Sequence, residues 1–402
     1  MNASHMRKNV FLLSLCQALM NSGNALLAAT SALVGQHLAS DKSLATLPLA
    51  LQFLATMLTS IPASMLMKHI GRQAGFIVGT LLGLAGAGLA AWAIVHQDFI
   101  YFCVGAALFG GFNGFGTYYR FAAADVATDD YRSRAISYVM AGGVIAAFVG
   151  PNLASWTSGW LSNAEFAGSY LALVGIYAAS LLVLLFLDIP RPSAHESHDR
   201  GRPLREIALQ DVFIVAALGG MLSYGVMVLV MTATPLAMHE HAYLFHDTAF
   251  VIQWHIFGMF APSFFTGHLI RRFGVLNIML AGAVLNIACV AVNLSGTGIG
   301  HFWAALLLLG VGWNFLFVGA TTLLTESYRV EEKAKAQALN DFLMFTCVTA
   351  ASLSAGALQY YVGWRAVNVG VIPLIVVIIG SLLWLKMRRR AASAARLGDA
   401  LN

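Results

Sequence analysis

Charged residues are scarce in this sequence: Asp, Glu, Lys and Arg together make up 10% of its 402 residues. Soluble globular chains carry about 25%, so this chain lacks the charge that would cover a water-exposed surface. The deficit excludes a soluble enzyme, a soluble nucleic-acid-binding protein and a disordered chain. The hydrophobic share of 59% instead predicts a protein whose main partner is the lipid bilayer.

Cysteine clusters and nucleotide-binding motifs are lacking as well. The four cysteines all lie in apolar stretches, which predicts neither a disulfide framework nor a zinc site. No Gly-x-x-x-x-Gly-Lys-Ser/Thr run occurs, which argues against a pump that carries its own ATP-driven motor. Segment 239–247 contains three histidines and could collect a metal ion, but it is interpreted as a solvated loop. No metal or other cofactor is predicted.

Long apolar windows dominate the chain, each near the ~20 residues that a membrane helix needs. They predict an all-α integral membrane protein with twelve transmembrane helices. The windows are 9–37, 44–67, 74–95, 99–124, 135–158, 168–188, 210–237, 248–269, 275–294, 301–325, 336–358 and 366–386. Residues 1–8 are predicted as a cytoplasmic N-terminus, in which residues 2–6 resemble a vector-derived remnant and are left out of fold reasoning.

Lys and Arg are unevenly distributed between the predicted loops. If the N-terminus is cytoplasmic, all of the 23 basic residues except Lys42 and Arg365 lie on or near the cytoplasmic side. This excess predicts that both termini are cytoplasmic, and we expect a multi-pass protein of a bacterial inner membrane. The net charge of +5 therefore reflects topology, and no nucleic-acid partner is predicted.

The chain divides into two related halves. The proline-containing, charged segment 189–209 predicts a cytoplasmic linker between an N-terminal bundle at 9–188 and a C-terminal bundle at 210–386, with a cytoplasmic tail at 387–402. At an offset of about 201 residues, the run 111–113 (Gly-Phe-Asn) aligns with 312–314 (Gly-Trp-Asn). Several such matches at nearly one offset predict an internally duplicated transporter.

Three motifs resemble those of the major facilitator superfamily, over essentially the whole chain. Segments 64–73 and 267–274 are similar to its Gly-x-x-x-Asp-Arg-x-Gly-Arg-Arg loop, although Lys68 and Arg271 replace the Asp. Asp125 and Glu326, each seven residues before a basic residue, resemble its acidic-x6-basic pattern, and Gly150-Pro151 resembles part of its antiporter motif. The resemblance implies two pseudo-symmetric six-helix bundles and secondary transport by alternating access, and we expect a monomer.

Charged residues after four of the spans form a candidate cytoplasmic gate. We hypothesise that Asp125, Arg72 and Arg132 make one latch, and that a second latch closes the same side. The second latch contains Glu326, Arg272 and Lys333. Exposed pairs of this kind are weak enough to form and break during transport. The alternative is that they are ordinary positive-inside residues beside solvated acids.

In this superfamily spans 1, 4, 7 and 10 line the central cavity, and here they carry polar groups near mid-membrane, where a lipid-facing amide is costly. The candidate substrate-binding residues, including two from span 8, are Asn21, Asn24, Asn113, Tyr118, Arg120, Tyr224, Trp254, His255, Trp313 and Asn314. For the asparagines the alternative is hydrogen bonding between packed spans. Trp254 could stack on a planar ligand or anchor at the interface, and Arg120 could bind an anionic group or extend to the membrane surface.

Two titratable residues are candidates for coupling transport to protons or another ion. His255 could carry a proton, or it could be a buried neutral histidine. Asp341 is the acid furthest inside a predicted span, but an acid near a helix start also gains from the helix dipole.

Span 1 contains no acid, which disfavours an exporter of cationic drugs. The amide, tyrosine and tryptophan set favours a small anionic, zwitterionic or neutral metabolite, aromatic ones included, and we expect a proton-coupled symporter. Segments 312–315, 325–328 and 337–342 resemble bacterial carriers proposed to move riboflavin. The alternatives are a proton-driven multidrug exporter and a non-transporting membrane receptor or sensor on the same scaffold.

Overall fold

A computed structural model describes residues 3–189 and 201–401 of the chain. These ranges consist almost entirely of α-helices joined by short connections. The helices are α1 (Ala3–Leu38), α2 (Leu47–Ile70), α3 (Arg72–Val95), α4 (Phe99–Gly116), α5 (Tyr119–Val126), α6 (Asp129–Thr157), α7 (Ala167–Leu185), α8 (Leu204–Ala208), α9 (Asp211–Glu240), α10 (Phe245–Phe260), α11 (Ser263–Phe273), α12 (Val275–Ser295), α13 (Ile299–Leu324), α14 (Lys333–Gly370) and α15 (Ile372–Leu401).

The helices fit the twelve predicted spans in order. Within the described ranges, ten helical stretches are long and apolar enough to cross a membrane, or eleven when the bent pair α10 and α11 counts as one span. One of the ten is the 57-residue stretch Lys335–Ala391, which contains the predicted eleventh and twelfth spans. Gly363, at φ 77°, interrupts the helical backbone between those two spans.

Helix packing repeats between the two halves. In the N-terminal half, α1 packs on α6, α2 on α4, and α3 on both α4 and α7. In the C-terminal half, α9 packs on α14, α10 on α13, and α12 on both α13 and α15. Span for span these are the same neighbours, and the fold is therefore two pseudo-symmetric six-helix bundles.

Two glycines mark the same turn in each half. Gly71 follows α2 with φ 90° and ψ 158°, and Gly274 follows α11 with φ 86° and ψ 147°. Residues with a Cβ rarely adopt this backbone conformation. The glycines of the two motif copies are therefore required by the sharp turn that leads into the next span.

Two spans that the sequence predicts as continuous are broken. The fourth span consists of α4 and α5, with a break at residues 117–118 after a glycine-rich segment of low helix propensity. The eighth span bends by 44° between α10 and α11, where Pro262 cannot donate a helical hydrogen bond. The break in the eighth span changes its direction as it approaches the loop that carries the second charged motif.

Helical structure continues into both predicted terminal segments. Helix α1 begins at Ala3, and Met6, which the sequence analysis set aside, is 6% exposed. The predicted cytoplasmic tail continues α15 to Leu401. Within the predicted linker, residues 204–208 form the short helix α8, while residues 190–200 lie outside the described residues.

The bundles meet at one end of the molecule. We call the end that carries most Lys and Arg residues, predicted to be cytoplasmic, the basic end, and the opposite end the far end. Near the far end, Ala32 and Ala45 of the N-terminal bundle pack against Leu236 of the C-terminal bundle. The Gly356 backbone N–H donates to Thr46 Oγ1 at 3.1 Å across the same boundary. These contacts form a seal between the bundles.

Toward the basic end the bundles separate. All side chains of α9 from Val230 to Met238 are buried, whereas between Ser60 and Ile70 of α2 only Ala63 and Met67 are. One buried residue per turn is what a helix shows when it contacts its own bundle on a single side. The structure is therefore closed at the far end and open toward the basic end.

Candidate functional site

Three carboxamides from three helices of the N-terminal bundle form what we call the amide cluster: Asn24 on α1, Gln52 on α2 and Asn113 on α4. Asn24 Nδ2 donates to Asn113 Oδ1 at 3.1 Å, and Asn113 Nδ2 donates back to Asn24 Oδ1 at 2.9 Å. Gln52 Nε2 donates to the same Asn24 oxygen at 3.1 Å. Asn24 and Asn113 are half-buried, and Gln52 is 4% exposed. Two predicted site residues thus lie together, with a third amide that the sequence analysis missed.

The amide cluster lies just below the seal. Asn24 directly precedes the fully buried segment 25–32 of α1, which packs on α9 near the far end. One turn nearer the basic end, the half-buried Asn21 accepts a hydrogen bond from Gln17 Nε2 at 3.0 Å. Polar side chains therefore continue along α1 from the seal into the space that opens toward the basic end.

The C-terminal bundle contributes three clustered aromatic rings, of which that of Trp313 is 6% exposed. Tyr224 of α9 lies one residue before the position that aligns with Gly23, and it is half-buried. Its ring centroid is 5.3 Å from that of Trp313 and 5.8 Å from that of Phe317. Trp313 and Phe317 stack at 4.7 Å with an interplanar angle of 15°. We call these three residues the aromatic face.

Charged groups of opposite sign lie nearer the basic end. Arg120 of α5 is half-buried, and its Nε is buried without a hydrogen-bond partner among the described residues. Asp341 of α14, in the other bundle, is exposed and lies close enough to interact electrostatically with Arg120, although no ion pair joins them in the described residues. Tyr118 is half-buried and donates to the Ser60 carbonyl oxygen at 3.0 Å. The open space therefore has polar walls from both bundles.

Asn314 does not join this group, although it aligns with Asn113. Its side chain is 1% exposed. Nδ2 donates to the Met259 carbonyl oxygen at 2.7 Å and to Ser263 Oγ at 2.6 Å, and Oδ1 accepts from Thr266 Oγ1 at 2.7 Å. All three partners flank the break between α10 and α11. Asn314 therefore matches the alternative interpretation, hydrogen bonding between packed spans, because its amide bonds to three groups of the bent span.

The predicted residues of span 8 also lie in contacts between helices. His255 is 0% exposed, and its Nδ1 lies 2.8 Å from the Leu306 carbonyl oxygen of α13. Trp254 contacts the rings of Phe148, Phe257 and Trp303 at centroid distances of 6.4, 5.4 and 6.3 Å. His255 therefore matches the buried histidine that was its alternative interpretation, and Trp254 lies in an aromatic packing layer.

The acidic residues of the predicted gate are both paired, and each pair lies within one bundle. Asp125 pairs with Arg72 in the N-terminal bundle. Glu326 pairs with Arg389 of α15 at 2.7 Å rather than with the predicted partners, Arg272 and Lys333, whose side chains are exposed. The difference arises because α15 continues past the predicted span end and brings Arg389 to the loop. The side chain of Arg132 lies outside the described residues.

The sequence analysis missed one buried charged pair. Glu332, which is 0% exposed, accepts from Arg202 Nε at 2.8 Å, Arg202 Nη2 at 2.7 Å and the Arg202 backbone N–H at 2.7 Å. Its Oε2 also accepts from the Arg329 backbone N–H at 2.9 Å. These donors hold the pKa of the Glu332 carboxyl well below its usual range. The end of the linker is thereby fastened to the loop between α13 and α14.

Gln52 and Glu332 were missed for different reasons. Gln52 is a polar residue in the middle of an apolar span, which is a local signal, but span 2 is not one of the four spans expected to line the cavity. Glu332 had no local signal, since an acid beside basic residues in a loop is ordinary. Its burial depends on Arg202, which lies 130 residues away.

A cavity of about 540 Å³ lies at the far end, between the bundles. Its lining includes Gln36, His37, Lys42, Glu165 and His239. Because its α1 residues follow Ala32 of the seal, this cavity is separated from the amide cluster. It is a second compartment on the other side of the contact between the bundles.

Comparison with known proteins agrees with this architecture. The family model described as Major Facilitator Superfamily matches residues 10–261 and 216–400. The chain is 42% identical over 395 residues to the riboflavin transporter RfnT of Brucella anthropi, covering 98% of this chain and 99% of the relative. It is 27% identical over 355 residues to the uncharacterized MFS-type transporter YdeG of Bacillus subtilis, covering 84% of this chain and 82% of that one.

Solved structures show the same fold at low identity. A bacterial homolog of the human lysosomal transporter Spinster, in an inward-facing and occupied conformation, superposes with a TM-score of 0.71 at 15% identity, covering 96% of this chain and 98% of that chain. The human organic anion transporter MFSD10 (TETRAN) gives 0.67 at 14% identity, covering 94% and 99%.

The two pseudo-symmetric bundles and the polar space between them define a multi-pass membrane transporter rather than an enzyme. The chain belongs to the major facilitator superfamily, as the family model and the full-length relative show.

Proposed function

We propose that the protein transports riboflavin, or a closely similar flavin, across the bacterial inner membrane by alternating access. The observation that carries the proposal is the amide cluster on spans 1, 2 and 4 of the N-terminal bundle, and the aromatic face on spans 7 and 10 of the C-terminal bundle supports it. The resemblance of the chain to a riboflavin transporter over nearly its full length supports the same substrate.

The chemistry of riboflavin suits both sides of this site. Its ring system is planar, aromatic and uncharged, and one edge carries two carbonyl oxygens and an N–H group. Carboxamides can both donate to and accept from such an edge, and aromatic side chains offer offset-stacked or edge-to-face contacts to the ring. A pocket that is mostly apolar with a few convergent polar groups is typical of sites for small molecules.

We further propose that transport is coupled to protons through Asp341. This carboxylate is exposed in the space between the bundles and faces the charge of Arg120 in the opposite bundle. Closure at the basic end would bring the two groups nearer to each other, and protonation of Asp341 would weaken their attraction. Coupling of this kind links the proton to the rocking motion. In this proposal both termini are cytoplasmic, the protein acts as a monomer, and the basic end faces the cytoplasm.

The experiment is riboflavin exchange in proteoliposomes. Vesicles that contain the purified protein and unlabelled riboflavin should take up labelled riboflavin faster than protein-free vesicles do, and excess external riboflavin should suppress the uptake. Exchange needs no driving ion, so it tests the substrate separately from the coupling. Absence of exchange, in protein that binds no riboflavin, would reject the proposed substrate.

Two further measurements separate the proposal from its alternatives. An imposed pH gradient should drive net riboflavin movement in the wild type, and Asp341→Asn should lose this effect while retaining exchange. A multidrug exporter would instead move lipophilic cations, and a receptor would bind riboflavin without exchanging it. Movement of lipophilic cations at rates equal to those of riboflavin would favour the exporter.

A further inference from the structure

Gln52 lies on α2, a span that contains none of the predicted substrate-binding residues. Its side chain is 4% exposed, and its Nε2 bonds to Asn24 Oδ1 at 3.1 Å. Its Oε1 is buried and has no hydrogen-bond partner among the described residues. A buried acceptor without a donor costs free energy, so an unpartnered oxygen beside a candidate substrate site indicates a group that a ligand satisfies.

The position of Gln52 is fixed by close helix packing. A Cβ atom at Gly110 of α4 would lie 2.2 Å from the Gln52 carbonyl oxygen. Only a glycine therefore allows the backbone of α4 to approach α2 this closely. The side chain of Gln52 consequently extends from a rigid contact between two helices rather than from a loop, and it points to the Asn24–Asn113 pair.

The amide cluster has donors and acceptors that its internal hydrogen bonds do not use. Asn24 Oδ1 accepts two bonds and Asn113 Oδ1 accepts one, while each of the three NH₂ groups uses one of its two hydrogens. The spare groups are one N–H on each amide, one lone pair on Asn113 Oδ1 and both lone pairs of Gln52 Oε1. The cluster can therefore present an acceptor together with donors on the two half-buried asparagines.

This pattern is complementary to the imide edge of a flavin ring, where the N3–H donor lies between the C2 and C4 carbonyl acceptors. We propose that Gln52 Oε1 accepts the hydrogen bond of the flavin N3–H while the Asn24 and Asn113 amides donate to the flanking carbonyls. The ring separates the reciprocal Asn24–Asn113 pair as it binds, which exposes Oε1. Gln52 is thus a specificity-determining residue, an inference that rests on the proposed transport of flavins.

The test compares riboflavin with N3-methylriboflavin, in which a methyl group replaces the hydrogen. Exchange rates at low concentration are measured in proteoliposomes for the wild type and for Gln52→Leu. The wild type should prefer riboflavin by about tenfold or more, because the methylated ring leaves Oε1 unpaired. Gln52→Leu should exchange riboflavin more slowly and should show little or no preference between the two compounds.

Gln73→Leu is the matched control. Gln73 is a half-buried glutamine at the basic end that donates to the Leu184 carbonyl oxygen at 2.9 Å. This variant should keep the preference of the wild type, which separates recognition of N3–H from the general loss of a glutamine in a membrane helix.

Three outcomes would overturn the inference. Equal exchange of both compounds by the wild type would do so while leaving riboflavin transport intact, and this comparison needs no folded variant. An unchanged preference in Gln52→Leu would place the recognition of N3–H at another residue. A wild type that exchanges neither compound and binds no riboflavin would remove the proposed function itself, and this inference with it.

Discussion

The two bundles share one pattern of helix packing but use equivalent asparagines differently. Asn113 of α4 is half-buried and pairs with Asn24 of α1 at the open space. Asn314 of α13, at the aligned position, is 1% exposed and bonds to three groups around a helix break. Duplication thus preserved the residue and its place in the helix, while its neighbours determined its role.

The positions of the broken spans explain this divergence. Span 8 breaks at Pro262, beside Asn314, and the freed backbone and hydroxyl groups need partners inside the membrane. The equivalent helix α2 contains Pro62 but continues without a break to Ile70. Asn113 therefore has no break in the neighbouring α2 to bridge, and it remains available to the space between the bundles. In the proposed function, the N-terminal bundle recognises polar groups of the substrate and the C-terminal bundle offers aromatic rings.

The largest effect on stability is expected for a substitution of Asn314. Asn314→Ala removes three buried hydrogen bonds and leaves their partners unsatisfied, which should lower stability by roughly 3 kcal/mol. The melting temperature of the purified protein should fall by several degrees, while the riboflavin affinity of the folded fraction should stay near that of the wild type. Asn163→Ala, at an exposed loop position, is the control and should leave the melting temperature unchanged. A stable variant with lost affinity would contradict the assigned role.

Asn113→Ala should show the opposite result. Loss of the reciprocal partner of Asn24 removes a donor from the candidate site, and we expect riboflavin exchange to slow about tenfold, equivalent to ~1.4 kcal/mol. The melting temperature should change much less than in Asn314→Ala, because Asn113 is only half-buried. Exchange rates and thermal melts on the same preparation measure both quantities. If the two variants behave alike, the proposed asymmetry between the bundles is wrong.

The linker anchor gives a pH-dependent difference between the bundles. Glu332 is buried against Arg202 with a lowered pKa, whereas the aligned position in the N-terminal half is Tyr131. A carboxyl whose pKa is lower in the folded state stabilises the protein above its unfolded pKa of about 4.3 and loses that contribution as pH falls further. The melting temperature should therefore drop between pH 5 and pH 3, with a smaller drop in Glu332→Gln.

Glu331→Gln is the control for that pH series, because Glu331 is the exposed neighbour of Glu332. It should retain the acid sensitivity of the wild type. Equal slopes in the wild type and Glu332→Gln would show that other carboxyl groups cause the acid sensitivity.

The smallest effect on stability is expected at the exposed charged pairs of the two bundles. The side chains of Arg72 and Asp125 are 16% and 50% exposed, and such pairs contribute about 0–1 kcal/mol. Asp125→Arg should therefore barely change the melting temperature but should slow exchange if the pair acts as a gate. Combining it with Arg72→Asp should restore part of the rate. Additive losses in the double variant would support ordinary surface charges instead.

The sequence alone predicted the number, order and orientation of the spans, and it predicted the duplication that the packing of the two bundles repeats. These features follow from local rules, because lipid requires apolar helices of about 20 residues and insertion leaves basic residues on one side. The required glycines at positions 71 and 274 belong to the same class, since their turn is set by two dihedral angles. The family resemblance rested on these local features and was confirmed.

Which neighbour each polar side chain faces depends on the packing of the helices and cannot be read from the sequence. Asn113, Asn314 and His255 look equally suitable in the sequence, yet one lies at the open space and two are buried within a bundle. A helix gives each residue a face, but the choice between substrate space and helix contact depends on how neighbouring helices bend and cross. The sequence likewise does not predict the contacts of Gln52 and Glu332, because their partners come from helices and loops far away in the chain.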